Sequence, residues 1–304
     1  MIAGIPRVAV LVAAYNGAEW LGEQLASIQQ QQGVCVQLWI SVDRCTDDTV
    51  ELCARYASEH PNTKVLPFGG PFGCAARNFF YLISQVDLAQ VDFVALADQD
   101  DIWHSDKLAR AVAHLSQTGD AGYSSNVMAF WPDGRRLVLE KSQPQVKYDY
   151  LFEAGGPGCT YVLPTATAQP LQDHVREVFK PLWDVNFHDW FIYSWVRSRG
   201  LRWYIDPEPS MEYRQHPSNQ LGANTSVKSL RKRWADIGSG LWFTQVQLIS
   251  RLTAAPHTPA FYRYLSFSRR YLLYLALRAP ACRRRRRDQL LFALVCLISA
   301  ISFR

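Results

Sequence analysis

The first 120 residues alternate apolar, β-branched runs with amphipathic stretches, and this rhythm restricts the fold more than any single residue does. The runs VAVLVAAY (8–15), VQLWISVD (36–43), KVLPF (64–68) and VDFVALAD (91–98) predict strands buried on both faces. Helical patterns fill the gaps at 18–32, 46–59, 74–86 and 105–116, with Thr46 and Ser105 as expected caps of the second and fourth. Strict alternation implies βαβ units in an α/β fold with helices on both faces of a sheet. Such sheets bind ligands beyond the carboxyl ends of their strands, where this sequence places Tyr15-Asn16, Asp43 and the acids Asp98, Asp100 and Asp101.

Beyond residue 120 the pattern loosens. Pro132-Asp133-Gly134 predicts a hairpin turn, Gly155-Gly156-Pro157-Gly158 leads into another strand, 188–198 predicts a helix with Asp189 in its first turn, and 201–216 reads as extended. From about 227 the chain is expected to be helical and basic. The expected division is therefore a catalytic domain over 1–225, with halves 1–120 and 121–225, and a helical region over 226–304. With 304 residues, 48% of them hydrophobic, the chain has enough material for one sizeable core.

Charge and cysteine usage narrow the function classes. Ten arginines and one aspartate follow Phe261, leaving 22 basic against 26 acidic residues before it, so the net charge of +5 belongs to the tail. Arg283 to Arg287 precede an apolar segment, 290–303. At 1.5 Å per residue its fourteen positions reach about 21 Å, short of a hydrocarbon core of about 30 Å. Interfacial attachment to a membrane is expected, with packing against the catalytic domain or a second subunit as the alternative. Nucleic acid is the poorer partner, because the arginines adjoin apolar rather than stacking positions. Seven scattered cysteines without a CxxC pair fit reduced cytosolic thiols. The opening MIAGIPRVAVLVAAYNG fits a buried strand better than a signal peptide, which places the catalytic part in the cytoplasm.

Three carboxylates within four positions repel one another unless a cation neutralises them, and oxygen ligands favour a hard ion such as Mg²⁺ or Mn²⁺. If 98–100 is extended, Asp98 and Asp100 point the same way and can reach one ion, leaving Asp101 to cap the following helix and Trp103 to pack behind the loop. Capping and solvation of a loop by Asp100 and Asp101 is the plain alternative. Gly69, Gly70 and Gly73 do not spell GxGxxG, so a dinucleotide site is not expected. A nucleotidyltransferase would want a basic glycine-rich first loop, and AAYNGAEW carries no Lys or Arg.

The series VAAYNGAEWLGEQLASI, ISVDRCTDDT, GCAARNFFYLI and ADQDDIWHSDKL, followed by HDW and YRQHxxN, resembles the GT-A glycosyltransferases of family 2, most closely their bacterial rhamnosyltransferase-like branch, over about residues 6–222. The resemblance implies a mixed Rossmann-like sheet and transfer of a hexose, with inversion, from a nucleoside diphosphate, dTDP or UDP, to a hydroxyl of a membrane-anchored surface glycan such as lipopolysaccharide. It favours dTDP-L-rhamnose; UDP-glucose, UDP-galactose and UDP-N-acetylglucosamine are the alternatives. It also implies a site on the cytoplasmic face of the bacterial inner membrane.

Position by position, the resemblance assigns the base to Ala13, Tyr15 and Asp43. An aromatic ring can stack on a pyrimidine, and a carboxylate can accept its N3 hydrogen. Val42 stands where the family usually carries a second acid. Arg77 is implied near the ribose or phosphates, Asp98 and Gln99 at the donor, and Asp98, Asp100 and His216 at the metal. Arg214 is implied at the leaving diphosphate, in a segment that closes over the donor. Asp189 is the implied catalytic base, and Gly158, Cys159, His188 and Trp190 lie on the acceptor side. Each has a structural alternative: core packing for Tyr15, a surface ion pair for Arg77, a helix cap for Asp189 and a structural role for His216.

Overall fold

The computed structural model describes residues 4–216, 240–255 and 267–302. Eleven strands are described in chain order: β1 (Arg7–Ala14), β2 (Cys35–Val42), β3 (Thr63–Val65), β4 (Phe93–Ala97), β5 (Ile102–Trp103), β6 (Gly122–Ser125), β7 (Val127–Phe130), β8 (Arg136–Leu139), β9 (Val162–Pro164), β10 (Trp203–Asp206) and β11 (Met211–Arg214). The helices that cover them begin with α1 (Leu21–Gln29), α2 (Thr49–Glu59), α3 (Ala75–Gln85) and α4 (Lys107–Thr118). They continue with α5 (Thr165–Glu177), α6 (Phe179–Leu182) and α7 (His188–Ser198), and then α8 (Leu241–Thr253), α9 (Arg269–Leu277), α10 (Ala279–Cys282) and α11 (Arg286–Ser302).

Among the described residues the strands form a seven-stranded sheet in the order β10-β6-β9-β4-β1-β2-β3 and a four-stranded sheet in the order β5-β11-β7-β8. The larger sheet is mixed: β9 runs antiparallel to both β4 and β6, whereas β1 pairs in parallel with β2 and β4. Every residue of β4 and all but the first of β1 are buried, as expected of strands covered on both faces. One face packs α1, α2 and α4 through Leu25, Cys53 and Leu108 against Val10, Val12 and Ala95. Helix α3 packs against β1 and β2 and beside α5. Each fully buried valine or leucine contributes about 1.5–3 kcal/mol to holding this register.

The four early strands and helices expected from sequence are present, with ends trimmed by a few residues. The expected caps are not. Helix α2 starts at Thr49 after Asp48, and the carboxylate that accepts the Thr49 N–H is Asp47, at 3.2 Å. The Thr46 N–H instead donates to Asn16 Oδ1 at 2.8 Å. Helix α4 is preceded by Asp106, with no side-chain cap from Ser105. The predicted hairpin joins β7 to β8 in antiparallel register.

Two compact units divide the described residues, one formed by 4–142, 156–189 and 201–216, the other by 143–155, 190–200, 240–255 and 267–302. All eleven strands belong to the first. The second contains a buried ionic cluster. Asp149, fully buried, accepts the Tyr193 hydroxyl at 2.9 Å and its own neighbour's Tyr150 N–H at 2.8 Å, while Arg197 and Arg284 each lie 3.9 Å from its oxygens. Burial pushes its carboxyl up and the two guanidiniums pull it back. Removing one member of such a cluster strands the others, at a cost of about 3–5 kcal/mol. Asp149→Ala is therefore expected to lower the melting temperature by on the order of 10 °C, with Asp149→Asn, which keeps an acceptor for Tyr193, well above it in differential scanning fluorimetry.

Candidate active site

The first unit brings three strand ends together. In register, Ala14 lies beside Val42, and Val12 beside Ala97, so Tyr15, Asp43 and Asp98 leave the sheet at one edge. Asn16 turns the chain with φ 45°, a left-handed conformation that asparagine tolerates, and Tyr15 emerges with 53% of its surface exposed. Core packing of this ring is thereby ruled out. Gln99 grips the same backbone from both sides, accepting the Tyr15 N–H at 2.6 Å and donating to its carbonyl at 2.8 Å. A side chain on Gly17 would collide with that carboxamide, which explains the glycine in Tyr-Asn-Gly.

Asp43 and Ala13 are both buried, and the Asp43 N–H donates to the Ala14 carbonyl at 2.9 Å. Its carboxylate accepts the N–H groups of Arg44 at 2.7 Å, Phe72 at 2.9 Å and Gly73 at 2.8 Å, which fixes both oxygens in place. The structure gives Arg77 partners the sequence did not suggest. Its Nε donates to the Trp183 carbonyl at 2.7 Å and another nitrogen to the Phe72 carbonyl at 3.0 Å, so it braces the loop that holds Asp43.

The acids after β4 differ from the expected pairing. The chain bends at Gln99 and Asp100, so the alternation of an extended strand no longer applies. Asp98 instead approaches Asp101 and Cys159, with one ligand-type atom of each within 4.8 Å of the others. Asp101 does not cap α4; it is fully buried, accepts the Arg214 N–H at 3.1 Å with one oxygen, and has no hydrogen-bond partner for the other. Asp100 accepts from His216 Nε2 at 2.8 Å, and the His216 ring stacks on Trp20 with centroids 4.0 Å apart. Arg214 donates to the Asp100 carbonyl at 2.8 Å and pairs with Glu23. Asn219 lies outside the described residues.

Burial raises the Asp98 carboxyl to about 7, with Asp100 adding to the rise, and the same causes push Asp101 well up. Burial likewise pushes the Cys159 thiol well up. The donors that remain, carboxylates and one imidazole, fit a hard divalent cation. An unmatched, buried carboxylate oxygen among crowded acids is the feature such a cation would complete.

Lys107 and Trp20 escaped the sequence reading. Lys107 is 1% exposed and donates to the Cys159 carbonyl at 2.7 Å while lying over the Trp103 ring at 4.0 Å. It stands four residues after Trp103 in the acidic motif itself, so a helical lysine pointing back at the acids was the available signal. Trp103 is buried behind the loop, as expected.

The turn over 158–160 carries the acceptor-side candidates. A side chain on Gly158 would strike His188 Nε2 and come within 3.2 Å of Asp189 Cβ, so this glycine is where turn and helix meet. His188 stacks on Phe79 at 4.1 Å; its buried Nε2 has no hydrogen-bond partner, and burial lowers the ring to about 3, which keeps it neutral. Asp189 is half-buried in the first turn of α7 and close enough to Asp98 to raise its carboxyl. Trp190 is buried in the second unit, and its Nε1 donates to the Tyr150 carbonyl at 2.9 Å.

Residues 6–236 match the model of the family described as "Glycosyltransferase like family 2", and the chain belongs to that family. It is a glycosyltransferase with the GT-A architecture. Over 223 residues it is 43% identical to the dTDP-rhamnosyl transferase RfbG of Shigella flexneri, covering 73% of this chain and 77% of that one. A shorter match, 29% identical over 138 residues, links 44% of the chain to 37% of the succinoglycan biosynthesis protein ExoO of Rhizobium meliloti (strain 1021). In fold it is similar to S. aureus TarS 1-349, with TM-score 0.56 and 14% identity over 98% of this chain and 92% of that one. It is equally similar to the mannosyltransferase PcManGT from Pyrobaculum calidifontis, solved with GDP-Man and Mn²⁺: TM-score 0.56, 17% identity, 99% of this chain and 77% of that one.

The buried acids set a pH dependence. Native Asp98 holds its proton up to about 7, whereas an unfolded aspartate releases it near about 3.9. The native state thus binds more protons in between, and stability falls as pH rises through that window. Without divalent cations the melting temperature is expected to drop by several degrees from pH 5 to pH 8. Asp98→Asn should remove part of that drop and leave the part carried by Asp101; a wild-type melt flat with pH would contradict the buried-acid geometry.

Proposed function

We propose that the enzyme transfers L-rhamnose from dTDP-L-rhamnose, with inversion, to a hydroxyl of a lipid-linked or membrane-anchored bacterial surface glycan, working at the cytoplasmic face of the inner membrane. The observation that carries this reading is the convergence of Tyr15, Asp43, the acids after β4 and Asp189 in one unit, joined to the 43% identity with a dTDP-rhamnosyl transferase.

In this reading the exposed Tyr15 ring stacks on the pyrimidine, and the fixed Asp43 carboxylate accepts its N3 hydrogen. Asp98, Asp100 and His216, together with the unmatched oxygen of Asp101, would hold a divalent cation, which when bound supplies positive charge for the diphosphate leaving group. Arg214, now paired with Glu23, adds a second positive charge if that exposed ion pair exchanges for phosphate oxygens. Asp189 accepts the proton of the acceptor hydroxyl as its oxygen attacks the anomeric carbon. The bond to the diphosphate breaks on the opposite face, which inverts the centre and releases a nucleoside diphosphate. Neutral His188 cannot take that proton, because protonating its buried ring is what its surroundings oppose.

Purified enzyme with Mn²⁺ should turn over dTDP-L-rhamnose in preference to UDP-glucose, UDP-galactose and UDP-N-acetylglucosamine, releasing dTDP and forming an inverted linkage by NMR. Asp189→Asn should lower kcat about 10²–10⁴-fold with the fold intact by circular dichroism. Preference for a UDP-sugar would move the donor within the same mechanism, and full activity of both Asp100→Asn and Asp189→Asn would end the site assignment. Release of pyrophosphate instead would indicate nucleotidyl transfer.

A further inference from the structure

Helix α11 is apolar on two opposite sides, and only one of them is covered. Phe292, Val295, Cys296 and Ala300 are buried within the second unit, where α11 packs along α9 and α10. Leu290, Leu294, Leu297, Ile298 and Ile301 are exposed at 75%, 47%, 43%, 46% and 76%. At 100° per residue these five fall in one stripe about 100° wide, opposite the buried set, and it extends for about 17 Å. A helix apolar all round is ordinarily covered all round.

The charges around the stripe define what covers it. Arg286 and Arg287 are exposed and stand four and three residues before Leu290, which continues the same face by one turn. Helix α9 adds exposed Leu273 and Leu277, bracketed by exposed Arg270 and Arg278. Asp288 is the one acid on these two helices; it falls on the side away from the stripe and lies 3.9 Å from Arg283. Arg283 and Arg284 point inward, donating to the carbonyls of Phe152 at 2.9 Å and Ala154 at 2.6 Å. The five-arginine run is thereby split between an internal brace and an outward-facing pair.

We propose that the exposed faces of α9 and α11 form a docking surface for an anionic lipid leaflet, lying in the interfacial plane with Arg286 and Arg287 at the phosphates. Among the described residues no helix is long and apolar enough to cross a membrane, which suits a surface-parallel mode. A second copy of the chain is a poorer occupant, because a self-complementary contact needs acids to meet the arginines and this face has none. Each exposed arginine near an anionic leaflet adds to binding, and the leucines and isoleucines bury in the acyl boundary. Access to a membrane-anchored acceptor as the purpose of docking rests on the proposed function; the docking itself does not.

Flotation of the full-length protein with phosphatidylcholine vesicles, with and without phosphatidylglycerol, tests it. Wild type should float with the mixed vesicles and at least tenfold less with the neutral ones. Leu290→Ser/Ile301→Ser should reduce flotation at least tenfold, and Arg286→Gln/Arg287→Gln should remove the preference for anionic lipid. Both pairs are exposed, so circular dichroism and transfer to a soluble acceptor should be unchanged. Wild type that fails to float, or apolar variants that float like wild type, would overturn the proposal. So would a wild-type dimer in light scattering that Leu290→Ser/Ile301→Ser dissociates. Vesicle binding without any sugar transfer would overturn the proposed function and leave the docking surface standing.

Discussion

A buried lysine among crowded carboxylates is the interaction on which the site depends. Asp98, Asp100 and Asp101 follow a fully buried strand, and Lys107 enters the same space from the first turn of α4 with 1% of its surface exposed. Burial lowers its ammonium to about 8, and the nearby acids oppose that fall, so it remains largely charged at neutral pH. One cation thus offsets part of the acidic charge while its Nζ reaches the Cys159 carbonyl and, at 3.4 Å, the sulfur of Met211. The contacts tie α4 to β11 and to the turn over 158–160. Through Gly158 that turn abuts His188 and Asp189, so the acid cluster and Asp189 share one support.

Sequence periodicity carried the architecture well, because strands covered on both faces leave an unmistakable run of apolar residues between amphipathic helices. It also placed Tyr15, Asp43 and Asp98 at one edge of the sheet, since they directly follow the last strand residues. It failed wherever local rules compete with tertiary partners. Thr46 looked like a cap, yet Asn16 takes its N–H and Asp47 takes over the helix. Asp101 looked like a capping acid, but a bend at 99–100 replaces the i, i+2 relation by i, i+3 and turns it inward. Arg77 looked suited to phosphate and is engaged by two carbonyls, one of them 106 residues away, which no local pattern encodes.

The arginine tract illustrates the same limit in the second unit. Five identical side chains in a row say nothing about direction until the helix begins, and its start at Arg286 sets the phase. Before it, Arg283 and Arg284 meet Glu153 and the backbone of 152–154; after it, Arg286 and Arg287 share a face with Leu290. Composition correctly assigned the positive charge to the tail, but only the fold divides it into structural and exposed portions. The low amphipathicity of the apolar segment has the same origin: both sides of α11 are greasy, so periodicity reports neither.

Proton and cation occupancy of the acid cluster are linked by this geometry. An acid raised to about 7 by burial and by its neighbours holds its proton into the neutral range, and a divalent cation bound there would compete for the same oxygen. The cluster therefore tolerates the absence of an ion by holding a proton on Asp98 or Asp101, with Lys107 supplying the rest of the compensation. Arg214 adds to this balance from the other side through its N–H to Asp101 and its side chain to the Asp100 carbonyl. Crowded acids at the end of β4 can thus be stable as built.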